Sequence, residues 1–198
     1  MTEKPWEELH REGMGPTQEA FLDLVRATTH SRHYCPEVIW GNLQTPDYVR
    51  AMLRLVVDFL DTPRDIEAGV AARTARARYI GTGGRTYHVL LGQQALRTNI
   101  GGRAVMRAQL DHLLNSFDLE GLRLGIIPDR SERWIYPGNS FSVFDGQRVE
   151  VELFGDYPTQ TDPGQLASYE KAFSLLARSA VYGVEAEDLV RAESRALG

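Results

Sequence analysis

At Gly81-Thr82-Gly83-Gly84 the chain changes its hydrophobic period, and that change confines it to folds that join a helical layer to a sheet. Before the glycines, apolar residues recur at helical spacing. Phe21, Leu24, Val25 and Thr28 follow Pro16 and predict a helix over 17–30. Thr45 is placed to cap a second helix, with Pro46 at its first position and Asp47 at its positive end; Val49, Met52, Leu53, Val56 and Leu60 then form one stripe. Thr62-Pro63-Arg64-Asp65 has capping-box spacing, with Asp for the usual Glu, and opens a third helix to about Tyr79.

Beyond the glycines the pattern turns to strands. Thr86-Tyr87-His88-Val89-Leu90-Leu91 is β-rich. Gly101-Gly102 precedes a helix that buries Val105, Met106, Leu110, Leu113, Leu114 and Phe117, and residues 122–127 read as a buried strand closed by Pro128. Phe141 and Val143, then Val149, Val151 and Leu153, alternate with polar residues around Asp145-Gly146 and mark a hairpin. A three-residue Phe144-Asp145-Gly146 loop pairs Phe141 with Val149 and Ser140 with Glu150, with Gly146 at the left-handed position. Asp162-Pro163 starts a helix carrying Leu166, Tyr169, Phe173, Leu176 and Ala180, and Gly183 stops it before a short last helix. The class is α+β: N-terminal helices, a mixed or antiparallel sheet with a C-terminal β-hairpin, and C-terminal helices, in one domain over 1–198.

Charge and cysteine usage narrow the function classes. A net charge of -5 argues against direct DNA binding, which draws on Lys and Arg neutralising phosphates. Residues 68–110 nevertheless hold no acid and seven arginines (73, 76, 78, 85, 97, 103 and 107), so a face for an anion or acidic partner competes with a set of arginines paired to acidic flanks. Cys35 is the single cysteine, which leaves no internal disulfide and no CxxC zinc pair. No run approaches a membrane span and the first residues are polar, so the expected location is the cytoplasm.

Candidate sites follow from residue type. Trp40 and Asn42 combine an indole with an amide that could orient a bound molecule, against the plainer role of core packing and helix capping. His88 shares a strand face with Leu90, and Glu150 shares one with Glu152, so an acid and an imidazole could meet across a sheet. His30-Ser31-Arg32-His33-Tyr34-Cys35 gathers nucleophile, base and ligand types where a helix ends, yet two His and one thiol make a poor zinc set. Gly81-Thr82-Gly83-Gly84-Arg85 could cradle an anion but matches no phosphate-binding fingerprint, and a helix-to-strand turn explains it as well.

Several stretches carry a family resemblance. They are Trp40-Gly41-Asn42-Leu43-Gln44-Thr45-Pro46-Asp47-Tyr48, residues 70–76, His88-Val89-Leu90-Leu91-Gly92-Gln93-Gln94-Ala95-Leu96-Arg97, Val105-Met106-Arg107-Ala108-Gln109-Leu110, Gly125-Ile126-Ile127-Pro128, Phe141-Ser142-Val143-Phe144-Asp145, Val151-Glu152 and residues 169–173. In order and spacing the chain resembles actinobacterial antitoxin-like transcriptional regulators of the Scr type, a domain of unknown function. The resemblance implies an effector domain that receives a small molecule or a small partner protein. In such regulators an Xre-type helix-turn-helix holds DNA, and residues 1–15 are too short for one, so the expectation is an effector without its own DNA-binding module. Two departures stand out: Trp40-Gly41-Asn42 replaces a Pro-Gly-Leu turn, and neutral Gln93 stands where an acid is common.

The expected ligand-binding residues are Trp40, Asn42, Gln44, Arg85, His88, Gln93, Arg97 and Glu152, with no metal and no cofactor. The expected function is a small-molecule- or partner-binding regulatory protein, the ligand anionic if the arginines serve it, with a homodimer left open. The alternative is a natural-product biosynthetic enzyme, a cyclase, isomerase or hydrolase working by general acid/base groups.

Overall fold

The structure is a computed structural model that describes residues 14–61, 65–153 and 158–198, without the side chains of 14–17 and 20. Among the described residues six helices flank one seven-stranded mixed sheet, the expected α+β class. In chain order they are α1 (Met14–Ala27), β1 (His30–Cys35), α2 (Pro46–Leu60), α3 (Ile66–Thr74), β2 (Thr86–Gly92), α4 (Arg103–Leu114), β3 (Leu122–Ile127), β4 (Phe141–Phe144), β5 (Arg148–Val151), β6 (Thr159–Gln160), α5 (Pro163–Ala177), β7 (Val181–Tyr182) and α6 (Val184–Ala196). The sheet order is β6-β5-β4-β1-β2-β3-β7. β1, β2 and β3 run parallel, joined by helical crossovers, and the outer strands pair antiparallel.

Side-chain alternation divides the core in two. Tyr87, Val89 and Leu91 of β2, with Leu124 and Ile126 of β3, pack against Met106, Leu110 and Leu113 of α4 and Val190 of α6. On the other face Tyr34, Leu90, Phe141, Val143, Val149 and Val151 meet Phe173 and Leu176 of α5. Because β2 is covered on both faces, Val89, Leu90 and Leu91 read as an unbroken apolar run. α2 begins as its residues dictate, with Thr45 Oγ1 accepting from Tyr48 N at 3.4 Å and Pro46 in the first turn, and its Val49, Leu53 and Val57 close on Val70 of α3. Asp162 caps α5 by accepting from the N–H groups of Gly164 and Gln165.

Three expectations are corrected. The first helix ends at Ala27, and His30–Cys35 is the central strand β1 instead of a helix end. Its composition conceals it: the inward positions Ser31 and His33 are polar and satisfy each other, so no aliphatic alternation is needed. The hairpin pairs Phe141 with Val151, Ser142 with Glu150 and Val143 with Val149, with Asp145, Gly146 and Gln147 as the loop. This register lies two residues from the expected one and keeps every side chain on its face. Asp145 fixes it, because its carboxylate accepts from Thr29 N and from His30 N at 2.7 Å while its backbone N–H donates to His30 O at 2.8 Å. Gly183, at φ 56, starts α6 and does not end α5; β7 lies between. The proposed capping box rests on residues 62–64, which lie outside the described residues.

Gly125 shows a close approach. A Cβ there would sit 2.6 Å from Tyr182 Cε1 and 3.1 Å from Leu90 Cδ2, so β3 can accept β7 beside it only with a glycine.

Candidate ligand-binding site

Where β1 ends, the chain leaves toward α2, while β4 enters the sheet beside it from the opposite direction. Neighbouring loops that diverge at the carboxyl end of a parallel strand leave a crevice, the usual ligand position in open α/β sheets. A cavity of about 610 Å³ lies there, bounded by α1, the 35–44 segment, α2, β4 and β5. Its apolar wall is built by Leu24 and Val25 of α1, Val38, and Met52, Val56 and Phe59 of α2. Leu55 and Phe59, one turn apart, are 55% and 63% exposed at the mouth. The volume suits a small molecule, for which pockets run roughly 300–1,000 Å³.

The inner end is polar. His33 is buried, its Nδ1 2.7 Å from Ser142 Oγ and its Nε2 2.8 Å from Ser31 Oγ, with the Trp40 ring centroid 4.5 Å away. Burial, then the charge of Arg76, lowers its pKa to about 3, so the imidazole is neutral and one ring nitrogen donates while the other accepts. Burial, then Glu152, pushes the Cys35 thiol up, and it stays protonated. Glu150, its side chain 3% exposed, uses Oε1 to accept from Arg148 Nη2; burial raises its pKa, and Oε2 has no hydrogen-bond partner among the described residues. Asn42 Nδ2 and Gln44 Oε1 are likewise buried without partners there, while Gln44 Nε2 donates to Ile39 O at 2.6 Å. Arg73 Nε and Arg76 Nη2 converge on Gly41, each 3.4 Å from where a Cβ would sit. Arg76 Nη2 also donates to Gln18 Oε1 at 3.0 Å and its guanidinium lies 5.6 Å from the Phe21 ring centroid, holding α1 over the cavity.

Of the expected residues, the fold brings Trp40, Asn42, Gln44 and Glu152 together in the cavity wall. His88 lies on the opposite sheet face, under α5, with Nε2 2.9 Å from Tyr182 Oη and the Phe173 ring edge-on at 4.9 Å; burial lowers its pKa to about 4. Arg85 folds back over its glycine turn, where Gly81, Gly83 and Gly84 all have positive φ, and donates from Nη2 to Arg26 O at 2.9 Å. Gln93 and Arg97 join one network. Gln93 Nε2 and Arg97 Nε both donate to Glu193 Oε1, Arg97 Nη1 reaches Asp129 Oδ2 at 2.5 Å, and Gln93 Oε1 accepts from Asp129 N. That network fastens the end of β2 to β3 and α6, away from the cavity. His30 and His33 alternate onto opposite faces of β1, and no cluster of three or more metal-ligating side chains occurs among the described residues.

Sequence reasoning did not place Ser31, His33, Ser142, Arg73 or Arg76 in the site. The available signal was the spacing of Ser31, His33 and Cys35 at every second residue, which puts all three on one face once 30–35 is a strand.

A domain of unknown function (DUF5753) is matched over residues 18–192. The chain belongs to that family. The DUF5753 match runs from α1 into α6 and so contains every element around the cavity. Among solved structures, the chain is similar to a phospholipase D family member, Nuc from Salmonella typhimurium, at 13% identity and a TM-score of 0.44, over 85% of this chain and 91% of that one. No curated protein matches it. No helix among the described residues is long and apolar enough to cross a membrane.

Proposed function

We propose that this DUF5753 chain is a ligand-binding regulatory domain of the antitoxin-like kind it resembles, and that it takes a small molecule into the cavity at the end of β1. The observation that supports this best is the cavity itself: about 610 Å³ with an apolar wall and buried, unfilled polar valences at Asn42, Gln44 and Glu150. The net charge of -5 fits a domain that does not hold DNA through its own surface.

The enzymatic alternative would draw on His33 with Ser31 or Ser142. A serine nucleophile needs a base poised near the working pH and oriented by a third group. His33 is held far below that range, bonds to hydroxyls on both sides, and has no carboxylate partner among the described residues. Cys35 is no better activated. These features favour binding over acyl transfer.

The test uses the neutral fluorescent probe N-phenyl-1-naphthylamine. One-to-one, saturable binding is expected, weakened at least tenfold by Val56→Trp, which fills the cavity from a half-buried position on α2. Non-saturable binding, or equal affinity in a folded Val56→Trp protein, would overturn the reading.

A further inference from the structure

We infer that the molecule bound in this cavity carries a protonated amine, which docks on Glu150 Oε2 while its apolar part lies against Val38, Met52, Val56 and Phe59; this rests on the ligand-binding reading above.

The argument begins with where β5 puts Glu150. It pairs with Ser142 of β4, which in turn contacts His33 of β1, so its side chain shares the sheet face that floors the cavity. Arg148 occupies only Oε1. Oε2 is buried in the cavity wall with no donor among the described residues, and a buried acceptor left without one costs roughly 1–3 kcal/mol, more when charged. Either a proton or an arriving donor relieves that cost, and the raised proton affinity of Glu150 reports the same need. An ammonium supplies the donor and the charge together.

The surroundings favour a cation over an anion. Glu37 and Glu152 line the same cavity, Gln44 Oε1 is a second buried acceptor without a partner, and neutral His33 contributes no positive charge. Of the basic side chains in the wall, Arg76 is engaged with Gln18 and Phe21, and the three carboxylates Glu37, Glu150 and Glu152 outnumber the two guanidiniums of Arg73 and Arg76. Asn42 Nδ2 is an open donor in the same wall, so the ligand also presents an acceptor, as an amino ketone or amino amide would.

The experiment is calorimetric titration of the full chain with three compounds of one shape: 2-phenylethylamine, 2-phenylethanol and 3-phenylpropanoate. The wild type is expected to bind the amine at least tenfold more tightly than the carboxylate. Glu150→Gln keeps an oxygen for Arg148 and turns the Oε2 acceptor into a donor. That variant is expected to lose at least tenfold in amine affinity while holding the alcohol within about twofold. Preference for the carboxylate, or unchanged amine affinity in Glu150→Gln, overturns the inference but leaves the cavity a ligand site. Failure of all three compounds to bind the wild type overturns both readings. Should Glu150→Gln not fold, the Glu150 13Cδ resonance of the wild type decides: it moves on adding the amine and not the alcohol, and a signal that the amine leaves unmoved overturns the inference.

Discussion

His33 of β1 and Ser142 of β4 are joined by a 2.7 Å contact from Nδ1 to Oγ, and this bond crosses the point where the parallel half of the sheet meets its antiparallel half. Ser31 holds the other ring nitrogen at 2.8 Å, so a buried imidazole takes the place of an aliphatic side chain at the sheet centre. Burial in this position favours the neutral ring.

Stability should therefore depend on pH through His33. Its folded pKa, about 3, lies below the ordinary value of 6.5, so between those limits the unfolded chain binds the proton and the folded chain does not. Stability is full above about pH 6.5 and falls as pH drops toward 3, by at most ~1.4 kcal/mol per unit. His88, lowered to about 4, acts in the same direction, whereas Glu150, raised by burial, opposes both. Urea unfolding at pH 7.0, 5.5 and 4.5 checks this. His33→Asn should start about 1–3 kcal/mol less stable at pH 7, having lost a satisfied buried group, and then lose less on acidification. Parallel decline in the two proteins would mean that His33 is not the buried neutral group described.

How much of this was legible follows from what each strand is made of. β2, β3 and the hairpin declared themselves because their inward residues are Val, Leu, Ile and Phe, and α2 did so through Thr45-Pro46-Asp47 and one apolar stripe. β1 was hidden because its inward residues, Ser31 and His33, are buried by hydrogen bonding instead of by apolar character. Losing β1 also displaced the site. Trp40, Asn42, Gln44 and Glu152 were found by residue type, but without a central strand there was no way to see that Glu150 and His33 share a face while His88 looks the other way. Arg97 in the arginine-rich stretch illustrates a different limit, since its counter-charges come from 32 and 96 residues further along the chain.

Arg97 should thus contribute to stability rather than stand as a solvated charge. Its guanidinium meets Asp129 at 2.5 Å and Glu193 at 2.7 Å, and Gln93 bonds to the Glu193 carboxylate as well. Exposed pairs contribute about 0–1 kcal/mol each and more in networks, so Arg97→Ala is expected to cost roughly 1 kcal/mol. For a chain of this length that lowers Tm by about 2–4 °C. Arg107→Ala, on the exposed face of α4, serves as the control and should leave Tm within about 1 °C. Scanning calorimetry of both variants separates them, and equal midpoints would return Arg97 to the solvent.

Gly125→Ala should loosen the opposite end of the sheet. The added Cβ would fall 2.6 Å from Tyr182 Cε1 and 3.0 Å from Cζ, too close for any real contact, so the ring must move. Tyr182 is not free to do so without consequence: its hydroxyl is 2.9 Å from His88 Nε2, and the Arg123 guanidinium sits 4.5 Å from its ring centroid. Overpacking of this kind costs typically about 1–3 kcal/mol. It should also let water reach His88, whose pKa is lowered chiefly by burial, and so move that pKa upward from about 4 toward 6.5. NMR titration of the His88 ring protons measures the second effect while chemical denaturation measures the first. Gly138→Ala, where a Cβ meets nothing within 4 Å, should change neither. A Gly125→Ala protein with wild-type stability and an unmoved His88 would show that β7 can shift away from β3 without disturbing the Tyr182 to His88 bond, and the close approach would then be incidental to the packing of α5.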